Sequence, residues 1–179
     1  ATVKDYVTTM RITWFATGID PSFNNRLVSS RASTRFQCLI PAKTLEKLGH
    51  KINIVQSDKI LDANQLCETE FGDVNIFIKS FIKMDENLAR RARLLNRKVI
   101  YSFCDFDFFK PEMIDHRKNM AELSHRCVTV SEALSKVVSN KFKIIDPIII
   151  TDPYEGPHGT PKFAPLENKL RLVWFGHIS

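Results

Sequence analysis

The chain has 179 residues, the length of one domain of ordinary size. With 44% hydrophobic and 26% charged residues it has the composition of a folded globular domain, and its apolar runs are too short to cross a bilayer. The net charge of +6 (pI ≈ 9.2) could favour nucleic acid, anionic lipid or phosphorylated substrates. The aromatic residues are not interleaved with the basic ones as in nucleic-acid binders, so nucleic acid is not an expected partner.

Ala1 to Thr9 is a polar lead-in without the apolar stretch of a signal peptide, and the absence of an initiating methionine fits a chain taken from a longer one. Met10 to Phe15 is apolar and β-branched enough for a strand. A small polar loop, Ala16 to Ser33, leads to a helix over Thr34 to Leu48 that Gly49 ends. Lys51 to Gln56 follows as the next strand, closing a βαβ unit of the kind that builds parallel sheets. Ligands of open parallel sheets sit at the carboxyl ends of the strands, so the Ala16 to Ser33 loop is the first place to look for chemistry.

Asp62 to Thr69 suggests a short helix, and Asp73 to Ile78 a strand ended by Lys79-Ser80. Met84 to Arg97 is a helix with Met84, Leu88, Ala92 and Leu95 on its inner face and Glu86, Arg90, Arg93 and Arg97 on its outer face. Val99 to Phe103 is a strand that runs into an acidic, aromatic loop, Cys104 to Phe109. A helix over Pro111 to Leu123, a strand over Arg126 to Val130 and a helix over Glu132 to Ser139 capped by Ser131 come next. Phe142 to Ile145 and Ile148 to Ile150 make one more strand, interrupted at Pro147. The alternation predicts an α/β fold: a Rossmann-like parallel sheet over residues 1–150 with helices on both faces and the first strand near its centre. Residues 151–169 hold the prolines and glycines of a linker, and Leu170 to Phe175 is a strand that opens a second domain.

The order and spacing of several short motifs resemble the N-terminal domain of GT-B glycosyltransferases of the broad family-four-like group. The matching residues are Ser30-x-x-Ser33-x-Arg35, Pro41-Ala42, Leu48-Gly49-His50, Asp73-Val74 with Lys79-Ser80, and Val128-Thr129-Val130-Ser131. Asp152-Pro153-Tyr154-Glu155 and Leu172-Val173-Trp174-Phe175-Gly176-His177 extend the match over nearly the whole chain. The early glycine pair of that family is reduced here to Gly18. The resemblance implies the acceptor-side domain of an enzyme that moves a sugar from a nucleotide sugar to a glycan or glycolipid hydroxyl. Residues 170–179 would then begin the donor-binding domain, with Gly176 and His177 beside the donor diphosphate. The 179-residue chain alone would be inactive and, with Leu170 to Phe175 unpaired, prone to self-association. The setting implied is cytoplasmic, with peripheral contact to the inner face of the membrane through the basic helix 84–98.

Each candidate has a plainer structural alternative. Ser30, Ser33 and Arg35 open the first helix, where an anionic group is favoured, yet the serines could be caps and the arginine an ordinary ion-pair partner. Asp105 and Asp107 could serve as a general base, with Phe103, Phe106, Phe108 and Phe109 around them to raise the pKa, or could cap the following helix. Lys79, Ser80 and Ser131 would line the same cleft. His50, His116, His125 and His158 have no spacing that suggests a triad or a metal site. Cys38, Cys67, Cys104 and Cys127 form no C-x-x-C pair, so buried free thiols and no metal or cofactor are expected, the nucleotide sugar being a co-substrate. The competing function is a non-enzymatic α/β binding domain. A dinucleotide oxidoreductase would need G-x-G-x-x-G and a nucleophile-elbow hydrolase G-x-S-x-G, and neither occurs.

Overall fold

The structure is a computed structural model and describes residues 8–21, 27–105, 111–144 and 146–153. Six strands form one all-parallel sheet: β1 (Arg11–Ala16), β2 (Lys51–Gln56), β3 (Val74–Ile78), β4 (Lys98–Phe103), β5 (Arg126–Thr129) and β6 (Ile148–Ile149). Their spatial order is 2-1-3-4-5-6. The first strand is therefore second from one edge, and β3 and β4 hold the centre. The βαβ reading of residues 10–56 fixes that β1 and β2 are neighbours, but not that β3 returns to the far side of β1. The register runs through Trp14 beside Ile54 and Ile76, and Ile76 beside Ile100.

Alternate residues of each strand face opposite sides, and both sides are apolar, as a sheet covered on two faces requires. Ile12, Trp14, Ile76 and Ile78 look toward helix α1 (residues 32–47), which carries Cys38 and Ala42. Phe15, Phe77, Tyr101 and Phe103 look the other way, toward Leu88 of α2 (Lys83–Leu94), Met120 of α3 (Pro111–Leu123) and Val138 of α4 (Glu132–Phe142). Among the described residues helices thus flank both faces, one on the first and three on the second. The Phe15 and Phe77 rings stack at 4.6 Å in the middle of the second layer. Between β2 and β3 the expected short helix is replaced by three single 3₁₀ turns, Ser57–Lys59, Ala63–Gln65 and Glu68–Glu70.

Helix α1 is continuous but composite: Ala32–Thr34, a π-helical segment Arg35–Leu39, then Ile40–Lys47. Pro41 has no N–H to offer the Gln37 carbonyl one turn earlier. The Trp14 indole Nε1 donates to that carbonyl at 3.0 Å, so the group the proline orphans is paired from the sheet. Gly49, at φ +92, ends the helix in the left-handed conformation that glycine adopts at little cost.

Two further sequence expectations fail. Phe142 closes α4 instead of starting a strand, so β6 is only Ile148–Ile149. Glu86, assigned to the outer face of α2, is 2% exposed, because α3 packs over that turn and brings it polar partners. Beyond Pro153 the expected linker, and with it the strand of the expected second domain, lies outside the described residues. Among the described residues no helix is long and apolar enough to cross a membrane.

Candidate active site at the carboxyl edge of the sheet

The helix after β1 packs on one face and the helix after β3 on the other, and the carboxyl ends of strands at such a switch are the usual ligand position of parallel sheets. The described parts of the loop after β1, residues 17–21 and 27–31, together with Lys79-Ser80 after β3, Asp105 after β4 and Ser131 after β5, lie on this carboxyl edge. The described members of the set expected to share one edge do so, although their individual settings differ from one another.

Lys79 and Asp105 meet directly, with Nζ 2.9 Å from Oδ2. Both side chains are partly open to solvent, at 34% and 48% exposure. The aromatic shelter expected around Asp105 is not supplied by Phe103, which turns into the core against Tyr101 and Phe142. Phe106, Asp107, Phe108 and Phe109 lie outside the described residues, as do Gly176 and His177. Cys104 donates its thiol to Asp105 at 3.6 Å. Burial first, then the Asp105 charge, pushes that thiol up to about 12, so it is no nucleophile at neutral pH.

Ser131 caps α4, its Oγ accepting from the Leu134 N–H at 3.2 Å. Arg35 closes its own loop: Nη1 donates to the carbonyls of Ser29 at 3.1 Å and Ser30 at 2.9 Å. Ser30 is exposed and Ser33 half-buried in the first turn of α1. Arg31 is a cation that sequence reasoning passed over. Its Nη1 donates to Thr17 Oγ1 at 2.8 Å, and its side chain lies against Gly18, where a Cβ would meet Nε at 2.5 Å. Gly18, at φ +66, was the available signal, since it lets the loop approach a large neighbour.

Sequence spacing also hid His116. The structure brings Ser80, Glu86 and His116 together from three elements, with Ser80 Oγ 2.8 Å from His116 Nε2 and Glu86 Oε1 2.8 Å from Nδ1. His125 likewise has partners, accepting from the Val99 N–H at 3.0 Å and touching Arg93. Burial, with the Arg93 charge, holds its pKa below the ordinary histidine value.

Beside the site the α1 face of the sheet forms an apolar groove of about 450 Å³. Ile78, Ile100, Val128 and Val130 make its floor, α1 one wall, and Thr151 to Pro153 its upper rim. At that rim Gln37 accepts from Ser102 Oγ at 3.0 Å and donates to Asp152 at 3.3 Å. No cluster of three or more potential metal ligands occurs among the described residues. Against models of known families and against curated proteins the chain has no match, so what stands is a parallel α/β sheet domain.

Proposed function

We propose that this chain is the acceptor-side domain of a glycosyltransferase that moves a sugar from a nucleotide sugar to a hydroxyl acceptor. One observation carries the reading: Lys79 and Asp105 face each other across the carboxyl ends of adjacent central strands, beside the β1 and β3 loops. A carboxylate there, half open to solvent, has the access a base needs to take a proton from an acceptor hydroxyl. The neighbouring ammonium suits an anionic group of the substrate. The apolar groove favours a glycolipid over a wholly polar glycan, because it offers room for a non-polar segment next to the polar edge.

Contact with an anionic membrane surface belongs to the same proposal. Arg91, Arg93 and Arg97 of the basic helical region are engaged with the Ala63 carbonyl, His125 and Asp73. Arg90 and Lys98 are exposed and are the cations to test.

The test is a screen of the protein expressed from the intact gene against a panel of nucleotide sugars, with lipid-linked and free glycan acceptors. Transfer to a hydroxyl supports the proposal. Binding of sugars without turnover of any donor would instead make this a binding domain.

A further inference from the structure

Ser80, His116 and Glu86 have the spacings of a serine–histidine–acid triad, but the serine is 0% exposed and no substrate can reach it. The array has to be understood as internal. Glu86 receives Lys83 Nζ and the Asn119 amide, at 3.2 Å for the latter, which keeps it ionised. Burial raises its pKa, but the Lys83 and His116 hydrogen bonds together hold it below the ordinary value. An ionised carboxylate only accepts, so His116 Nδ1 carries a proton. In the neutral ring Nε2 is then an acceptor, and the Ser80 hydroxyl donates to it.

The next residue of α3 acts on the next residue of the same turn. Arg117 lays its guanidinium 5.3 Å over the Phe81 ring and donates to the Tyr101 hydroxyl at 2.8 Å. Two consecutive residues of α3 thus grip two consecutive residues of the β3–α2 turn. Immediately before them stands Lys79, whose φ of 42° is a conformation that non-glycine residues seldom adopt unless their surroundings impose it. This is the residue whose ammonium reaches Asp105.

We propose that His116 is a positioning residue: through Ser80 it holds the turn after β3 in its left-handed form and so places Lys79 against Asp105. The inference rests on reading that edge as the substrate site, but its test requires no substrate. A double-mutant cycle with Lys79→Met and Asp105→Asn measures the coupling of the pair by urea unfolding of the chain. It is run in three backgrounds: unaltered, Ser80→Ala and His116→Gln. Ser80→Ala deletes one buried hydroxyl with little change of volume, and His116→Gln leaves an acceptor within reach of Ser80.

In the unaltered background the pair should change the unfolding equilibrium constant by roughly two- to five-fold, and 1 M salt should reduce that factor. In Ser80→Ala the coupling should disappear, and in His116→Gln part of it should remain. The imidazole nitrogen resonances of His116 should report a proton on Nδ1, with Ser80→Ala moving the Nε2 signal. Equal coupling in all three backgrounds, no coupling in the unaltered one, or a proton resident on Nε2 alone would each overturn the proposal. A domain that transfers no sugar but keeps this pattern would sink the glycosyltransferase reading and leave the positioning role standing.

Discussion

Asp85→Asn is expected to stabilise the domain. Asp85 lies in the first turn of α2, is 2% exposed, and has one carboxylate oxygen, Oδ1, without a hydrogen bond. Burial is the strongest influence on it and lifts its pKa above the ordinary aspartate value, against the Ser80 and Ser57 hydroxyls and His116, which pull it down. A carboxyl group that titrates higher in the folded state holds its proton more tightly there than in the unfolded chain. Its contribution to stability is complete below the unfolded pKa and is lost as pH rises through the folded pKa. Above its folded pKa the carboxyl is a buried charge with an incomplete set of partners. Leaving one such polar atom unpaired costs about 1–3 kcal/mol. Asparagine keeps the shape and carries no charge, so the variant should gain about 1–2 kcal/mol once the wild-type carboxyl is ionised. That corresponds to a rise in Tm of roughly 2–8 °C for a domain of this size. The assay is urea unfolding of both proteins from pH 4 to pH 8. The gain should shrink toward low pH, where the wild-type carboxyl regains its proton. A variant less stable than wild type across the whole range would show that the carboxylate repays its burial, and the reasoning would fail.

Three further outcomes are expected. Gly72→Ala should cost about 1–3 kcal/mol by the same unfolding measurement, because the added Cβ would stand 2.6 Å from the Arg11 carbonyl oxygen and 2.8 Å from the Thr13 nitrogen, both backbone atoms of β1. Ser131→Ala should cost about 1 kcal/mol through the lost cap of α4, lowering Tm by roughly 2–4 °C. An aromatic disulfide reagent on the native protein should modify Cys67 quickly and the other three thiols slowly, since Cys67 alone is exposed and burial pushes Cys38, Cys104 and Cys127 up to about 12.

The strands were legible in the sequence because their apolar runs are short and bounded by turn residues, and Ser131 was legible as a cap because a serine before an apolar helix has few other uses. The order of the strands was not legible, since nothing local tells β3 on which side of β1 to return. Glu86 was misplaced for a related reason. Helical periodicity describes one helix against one face, whereas α2 is also packed against α3, which supplies His116 and Asn119 to a carboxylate on its flank. Lys79 gave no sign of its left-handed backbone, because glycine and asparagine signal that conformation and lysine does not. Asp105 was correctly placed at the end of β4. Its ion pair with Lys79 depends on β3 and β4 being neighbours, a fact of sheet order rather than of local sequence.

We propose that the carboxyl edge around Asp105 carries out sugar transfer. The most direct test is Asp105→Asn in the protein from the intact gene, with kcat, Tm and the anomeric configuration of the product read on one preparation. For a transfer that inverts the anomeric centre, kcat should fall by roughly 10²–10⁴-fold while donor affinity and Tm change little. An inverting variant that keeps its turnover would contradict the account and leave Asp105 only as the ion-pair partner of Lys79.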